Sequence, residues 1–270
     1  MSDASGLVYD LGLHDGQDTE FYLKKGFRVV GVEANPALCQ AAEARFASAI
    51  ATGQLVVVNR AVALHRGPIT FFINDVQSVW GTADPVWAER NRRLGAPSRE
   101  ITVEALPLGD LIANYGTPYY LKIDIEGMDR VALESLAATS ERPRYVSIEA
   151  EKVSFSRLRQ EFETFQALGY DRFKVVPQHR VAWQRPPDPP REGSAVAHRF
   201  ETGASGLFGE EAPGGWISAE AAIEAYKRIF LLYHLAGDDP LLGSRTLVRV
   251  LRRLGLGGRW YDTHARLAAR

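Results

Sequence analysis

The sequence predicts an α/β fold: a mostly parallel sheet with helices on both faces. Two observations carry that prediction. Short apolar runs alternate with helix-like stretches through roughly the first two thirds of the chain, the rhythm of strands joined by crossover helices. The first run, Leu7 to Leu11, is also short and apolar up to a glycine, as in a buried parallel strand.

Each element follows from its residues. Leu7 to Leu11 is a short apolar run ending at Gly12, a buried parallel strand. Thr19 to Lys25 reads as a helix stopped by Gly26. "RVVGVE", residues 28 to 33, is the second strand, and Pro36 to Ala51 is helical with proline in its first turn. "LVVVNRAV", residues 55 to 62, is the third strand. The rhythm then breaks. "GPITFFI" and "REITVEAL" are strands flanking a loop from Asn74 to Ser98, and "PLGDLIANY" returns to helix. "YYLKIDIEG", residues 119 to 127, is the fourth parallel strand, with a helix following through Ala138. "RYVSIEAE", residues 144 to 151, is the fifth, with a helix from Phe155 to Leu168; "DRFKVV" is the sixth.

Composition divides the chain into a core over residues 1–184, a Pro/Gly-rich insertion or lid over 185–217 where a last core strand could also fall, and a helical extension over 218–270 packed on the core. In the extension, Ser218 to Ala236 and Pro240 to Leu254 read as helices. Arg249, Arg252 and Arg253 sit near the end of the second, where cations complement the helix dipole on a solvated face. The aromatic tail "GGRWYDTHARLAAR" is expected to pack back on the body.

Charge narrows the partners. Charged residues make up 24% of the chain and the net charge is −1, so no global basic field points to nucleic acid. Cys39 is the only cysteine, which excludes an intramolecular disulfide and fits a reducing compartment. "MSDASG" lacks a charged n-region and an apolar h-region, and no stretch approaches the length of a membrane span. The expectation is a cytoplasmic protein with a small-molecule partner, no nucleic acid and no membrane; the oligomeric state stays open.

In an open parallel sheet, ligands sit beyond the carboxyl ends of the strands. Four such ends carry acids here: Asp10, Glu33, Asp124 and Glu149. One acid in such a place is a cap or turn residue as readily as a ligand. Four together are hard to explain as packing, because a carboxylate there is costly unless paired or solvated in a cleft. Gly12 and Gly16 make G-x-x-x-G, not the G-x-G-x-x-G that approaches a pyrophosphate. Asp10 and Asp15 beside the loop would repel a phosphate, yet suit an amino group and a sulfonium. Glu33 is placed to accept from two ribose hydroxyls. S-adenosylmethionine meets all of these constraints.

"DLGLHDGQDTEFYL", "GVEANP", "NRAVA" and "LKIDIEGMDRVALESL", in this order and spacing, resemble the FkbM family of S-adenosylmethionine-dependent methyltransferases over residues 7 to 150. The resemblance implies a Rossmann-like class I methyltransferase fold with a seven-stranded sheet. It makes Asp10, Gly12, Gly16 and Glu33 cofactor residues. From the same blocks and loops, His14, Asp15, Ala34, Asn59, Ala61, Ser78 and Asp124 complete the expected cofactor set. "MD" after Glu126-Gly127 departs from the family's more usual small residue and Glu; Asp129 keeps the charge. The family acts on diverse hydroxyl-bearing molecules, so the resemblance implies methyl transfer to oxygen without naming the acceptor. "SGLFGEEAPGGW" and "WYDTHA" resemble tail motifs of a subgroup.

Lys122, Asp124 and Glu126 recur at period two, which puts them on one face of an extended strand. Lys122 is either a structural ion-pair partner or a catalytic residue. Asp124 and Glu149 are candidate catalytic acids, one of them acting as a general base. Alternatively Asp124, Glu126 and Glu149 hold a divalent cation, Mg²⁺ or Ca²⁺ by their oxygen donors. His264, with Asp262 as its orienter, is a further candidate base if the tail folds over the cleft. Ser78 and Trp80 lie in the 74–98 loop, which with 185–217 is the candidate acceptor-binding lid. Two rivals share these features: a nicotinamide-dependent oxidoreductase, disfavoured by the missing glycine and by Asp15, and a non-catalytic protein that binds the cofactor.

Overall fold

The computed structural model describes residues 6–151, 154–236 and 260–268. Its main sheet has seven strands: β1 (Leu7–Leu11), β2 (Arg28–Glu33), β3 (Leu55–Asn59), β7 (Tyr120–Ile123), β8 (Tyr145–Glu149), β9 (Tyr170–Pro177) and β10 (Tyr261–Leu267). Their spatial order is β3-β2-β1-β7-β8-β10-β9. The pairs from β3 to β8 are all parallel, and β10 runs antiparallel to both of its neighbours. The sheet reverses its winding between β1 and β7. A crevice opens there beyond the strand ends, because the connections leave in opposite directions.

Strand alternation sorts the core into two faces. Leu7, Tyr9 and Leu11, with Leu121, Ile123, Val146 and Ile148, pack under α5 (Leu108–Tyr115), α6 (Asp129–Ser135), α7 (Phe155–Ala167) and α8 (Ala219–Ala236). Val8, Val29, Tyr120 and Tyr145 face α1 (Gln17–Lys24), α2 (Pro36–Arg45) and an irregular segment. That segment brings Phe200, Leu207 and Phe208 into the core, where Phe208 stacks on Tyr120 at 4.5 Å between ring centres. Most of the 185–217 stretch therefore covers a sheet face that a helix would otherwise cover. Only residues 202–205 of it reach the cleft.

Several sequence expectations shift. The third strand breaks at Arg60: β3 ends at Asn59, and β4 (Ala61–Val62) joins a separate three-stranded sheet. That sheet has the order β4-β6-β5, with β5 (Gly67–Asn74) and β6 (Ser98–Leu106) antiparallel in register from Gly67 opposite Ala105 to Asn74 opposite Ser98. The helix expected from Pro36 to Ala51 is interrupted at Phe46, giving α2 and α3 (Ala47–Ala51). The 74–98 loop contains α4 (Pro85–Arg93), started by Asp84, whose carboxylate accepts from Val86 N at 2.7 Å, and by proline in the first turn. The seventh strand falls in the tail, at Tyr261–Leu267, not in 185–217. The Pro240–Leu254 helix with Arg249, Arg252 and Arg253 lies outside the described residues. Among the described residues, no helix is long and apolar enough to cross a membrane.

Candidate functional site

A cleft of about 350 Å³ opens above the carboxyl ends of β1, β2, β7 and β8. Its first wall is the loop after β1. Gly12 and Leu13 both donate backbone N–H to the Val32 carbonyl, at 2.9 and 3.1 Å, folding the loop back over β2. Gly12 has φ +84°, and a Cβ there would lie 1.8 Å from the Asp124 carbonyl oxygen. Only a bare α-carbon lets the loop and the end of β7 approach so closely. Two non-glycine residues have positive φ among the described residues, His14 (50°) and Glu126 (49°), and both line the cleft. Backbone in this sparsely populated region costs energy and collects at functional sites.

Glu33, the last residue of β2, is the second wall. It is buried, and burial raises its carboxyl above the ordinary range against the pull of two backbone amides. His14 N donates to one carboxylate oxygen at 3.0 Å, and Asn35 N to the other at 2.8 Å. Asn59 does not line the cleft. Its amide donates to the carbonyls of Glu33 and Ala34 at 2.9 and 3.1 Å and so braces the turn that carries the acid. Ala34 and Ala61 do line the cleft. Ser78 reaches over from the 74–98 loop, its Oγ 3.0 Å from His14 Nε2. Asp15 is held below the ordinary carboxylate range, chiefly by hydrogen bonding from His14.

Two further expected cofactor residues do not line the cleft. Asp10 is wholly buried; its carboxylate accepts from Thr19 Oγ1 at 2.7 Å and Lys122 Nζ at 3.0 Å. Gly16 ends the loop as the left-handed cap of α1, with Phe46 where a side chain would go. Asp10 supports the loop from below, and Gly16 sets its exit into α1.

Lys122 is the hub of the buried charges. Its ammonium meets Asp10 at 3.0 Å, Asp18 at 3.5 Å and Asp124 at 3.7 Å, and donates to the Gly12 carbonyl at 3.2 Å. Burial works against the charge, but the three carboxylates outweigh it and hold Lys122 well above the ordinary lysine range. The side chain is a fixed cation, not a proton acceptor at neutral pH. Asp18 is a further buried acid, which no sequence motif marks. Burial pushes it up to about 6 despite Lys122, and it accepts from Ser205 N at 2.9 Å, tying the 185–217 segment to α1.

One polar row crosses the sheet on the α1 face. Asp10 pairs in register with Lys122, Lys122 with Ser147, Ser147 with His264, and His264 with Lys174. Two residues further along their strands, on the same face, lie Glu149 and Asp262, directly opposite one another; Asp124 follows Lys122 in the same way. All three line the cleft floor. This register separates His264 from the site. It lies one step below the floor, 1% exposed, and both ring nitrogens lack a hydrogen-bond partner. Burial, with Lys174 nearby, lowers its pKa to about 3. His264 therefore does not reach the cleft, whereas Asp262, expected only to orient it, does.

Asp124, Glu126 and Glu149 offer oxygens within 4.8 Å of one another. Asp129, the departure after Glu126-Gly127, lies behind them, accepting from Ile125 N at 3.3 Å and Gly127 N at 3.2 Å. It holds the turn that presents Glu126. Burial, then Asp124 and Glu149, pushes it up to about 7. Trp80, Trp87 and Trp260 also line the cleft, with Arg90 5.1 Å from the Trp87 ring centre.

An FkbM methyltransferase from Methylobacillus flagellatus KT shares 17% identity over 66% of this chain, with a TM-score of 0.43. This chain spans 41% of that protein's length. A S-adenosylmethionine-dependent methyltransferase from Geobacter sulfurreducens, solved with S-adenosyl-L-homocysteine, shares 13% identity over 100% of this chain and 86% of its own, at a TM-score of 0.39. StiE O-MT shares 11% identity over 98% of this chain and 68% of its own, at a TM-score of 0.40. No curated protein matches the sequence. The family model for the methyltransferase FkbM domain matches residues 10–172, more than half of the chain, from the acid of β1 to the start of β9, and the chain belongs to that family.

Proposed function

We propose that the protein transfers the methyl group of S-adenosylmethionine to a hydroxyl oxygen of a sugar or small natural product. The observation that carries this reading is the setting of Glu33. Each carboxylate oxygen has two lone pairs, and one backbone amide takes one of them. The carboxylate is thus locked in place by His14 and Asn35 while keeping acceptor capacity toward the cleft it lines. A ribose diol is the ligand that uses two such acceptors. Asp15 and Asp18 at the loop disfavour a pyrophosphate and suit a cationic donor.

S-adenosylmethionine supplies a methyl carbon activated by positive sulfur. The chain's own task is to align the acceptor and take its proton, and positioning supplies much of such acceleration. Asp124 and Glu149 are the carboxylates on the cleft floor suited to accept that proton. Lys122 is a positioning residue that holds Asp124 through charge. The three tryptophans offer flat apolar faces against which a sugar ring or aromatic acceptor packs.

The test is to incubate the protein with methyl-labelled S-adenosylmethionine and a pool of hydroxylated metabolites. Label in an O-methyl product supports the reading and names the acceptor. Label on nitrogen contradicts the oxygen assignment. Cofactor bound but no label transferred would leave a non-catalytic binding protein.

A further inference from the structure

We infer that Asp262 joins Asp124, Glu126 and Glu149 in a binding site for a hard divalent cation on the cleft floor. Two independent observations point there. The first is the cluster itself. Two oxygens on one Mg²⁺ or Ca²⁺, at about 2.0–2.6 Å each, lie at most about 4–5 Å apart, and the Asp124, Glu126 and Glu149 donors lie within 4.8 Å of one another. They come from the end of β7, the turn after it and the end of β8, so the sheet and the Asp129-capped turn hold all three.

The second observation is Asp262. Its side chain is more than nine-tenths buried, faces the cleft, and has no hydrogen bond or ion pair among the described residues. Antiparallel register places it opposite Glu149. Lys122, whose charge also acts on Asp262, is already shared among Asp10, Asp18 and Asp124. A buried carboxylate without a partner is unfavourable. Setting one directly beside another acid on neighbouring strands adds repulsion. A divalent ion reverses both effects at once. The donor set is oxygen alone, which selects Mg²⁺, Ca²⁺ or Mn²⁺ over Zn²⁺.

Asp262 lies on β10, outside the residues that match the family domain. The cation site therefore joins the matched core to the last strand of the sheet. Its role rests on the methyl-transfer reading: the ion would orient the acceptor hydroxyl and lower its pKa, in place of Asp124 or Glu149 acting as a free base. Its existence does not rest on that reading.

The test titrates Mn²⁺ into chelator-treated full-length protein and follows free Mn²⁺ by electron paramagnetic resonance. The expected result is one saturable site per chain, emptied by Mg²⁺ and retained when S-adenosylhomocysteine saturates the protein. Asp262→Asn and Glu149→Gln should each weaken Mn²⁺ by roughly tenfold or more. If Asp262→Asn does not fold, judged by circular dichroism, Glu149→Gln decides alone. No saturable Mn²⁺ binding, or affinity untouched in the folded variants, overturns the site. Displacement of Mn²⁺ by S-adenosylhomocysteine also overturns it, because the acids then serve the cofactor. Mn²⁺ binding without any methyl transfer leaves the site standing and removes the methyltransferase reading; transfer without Mn²⁺ binding does the reverse.

Discussion

Lys122 Nζ lies 3.0 Å from the Asp10 carboxylate and 3.5 Å from that of Asp18, with all three side chains buried. One cation serves two core acids and the edge of the cleft. Lys122→Met should therefore destabilise the protein by about 3–5 kcal/mol, the cost of stranding a buried charge. Urea unfolding reads this directly. A loss below about 1 kcal/mol would mean that the pair contributes no more than a surface ion pair.

The same reasoning applied to Glu33 predicts a binding defect. Glu33→Ala removes the acceptor of the His14 and Asn35 amides. Affinity for S-adenosylhomocysteine should fall by about 1–3 kcal/mol, the scale of hydrogen bonds to a charged group, with circular dichroism close to wild type. Calorimetric titration of both proteins checks it, and equal affinities refute the ribose assignment.

At Gly12 the constraint is steric and conformational. With φ +84° and the Asp124 carbonyl 1.8 Å from any Cβ, Gly12→Ala must push the loop off β7. Left-handed backbone alone costs about 1–2 kcal/mol for a side-chain-bearing residue. Gly12→Ala should lose cofactor binding more completely than Glu33→Ala in the same titration; wild-type affinity would contradict the close approach.

His264 yields a pH signature. Its ordinary pKa is 6.5 and burial lowers it to about 3 in the fold. Between these values the unfolded chain binds a proton that the native state refuses, so this contribution to stability is complete above about pH 6.5 and is lost as pH falls toward 3. The slope is at most about 1.4 kcal/mol per pH unit. His264→Leu should flatten the stability profile in that window relative to wild type and preserve methyl transfer, since the ring does not reach the cleft. Unchanged acid sensitivity, or lost transfer, would restore His264 as a functional candidate.

Local patterns made much of this legible. The β1 run, the glycines after it and the acid ending β2 announced the cleft, because buried strands and tight turns tolerate few residue types. The tail was harder. "YDTHARL" reads as polar, yet Asp262, Thr263 and His264 are buried, because the strand slots between β8 and β9 and meets Ser147 and Lys174. Only a partner distant in sequence makes that pattern a core strand. Asp18 was hidden for the opposite reason: an acid in the first turn of a helix needs no further explanation, and its contact with Lys122 is tertiary. Trp87 and Trp260 reach the cleft from α4 and from the residue before β10, and neither approach is written in local periodicity.

The central claim is that the cleft holds a cationic, phosphate-free adenosyl donor on Glu33 and the loop after β1. Calorimetric titration of the purified protein with S-adenosylmethionine, and separately with NAD, tests it most directly. The account predicts one S-adenosylmethionine per chain, weakened by Glu33→Ala, and no heat from NAD. Saturable NAD binding in place of S-adenosylmethionine would contradict it.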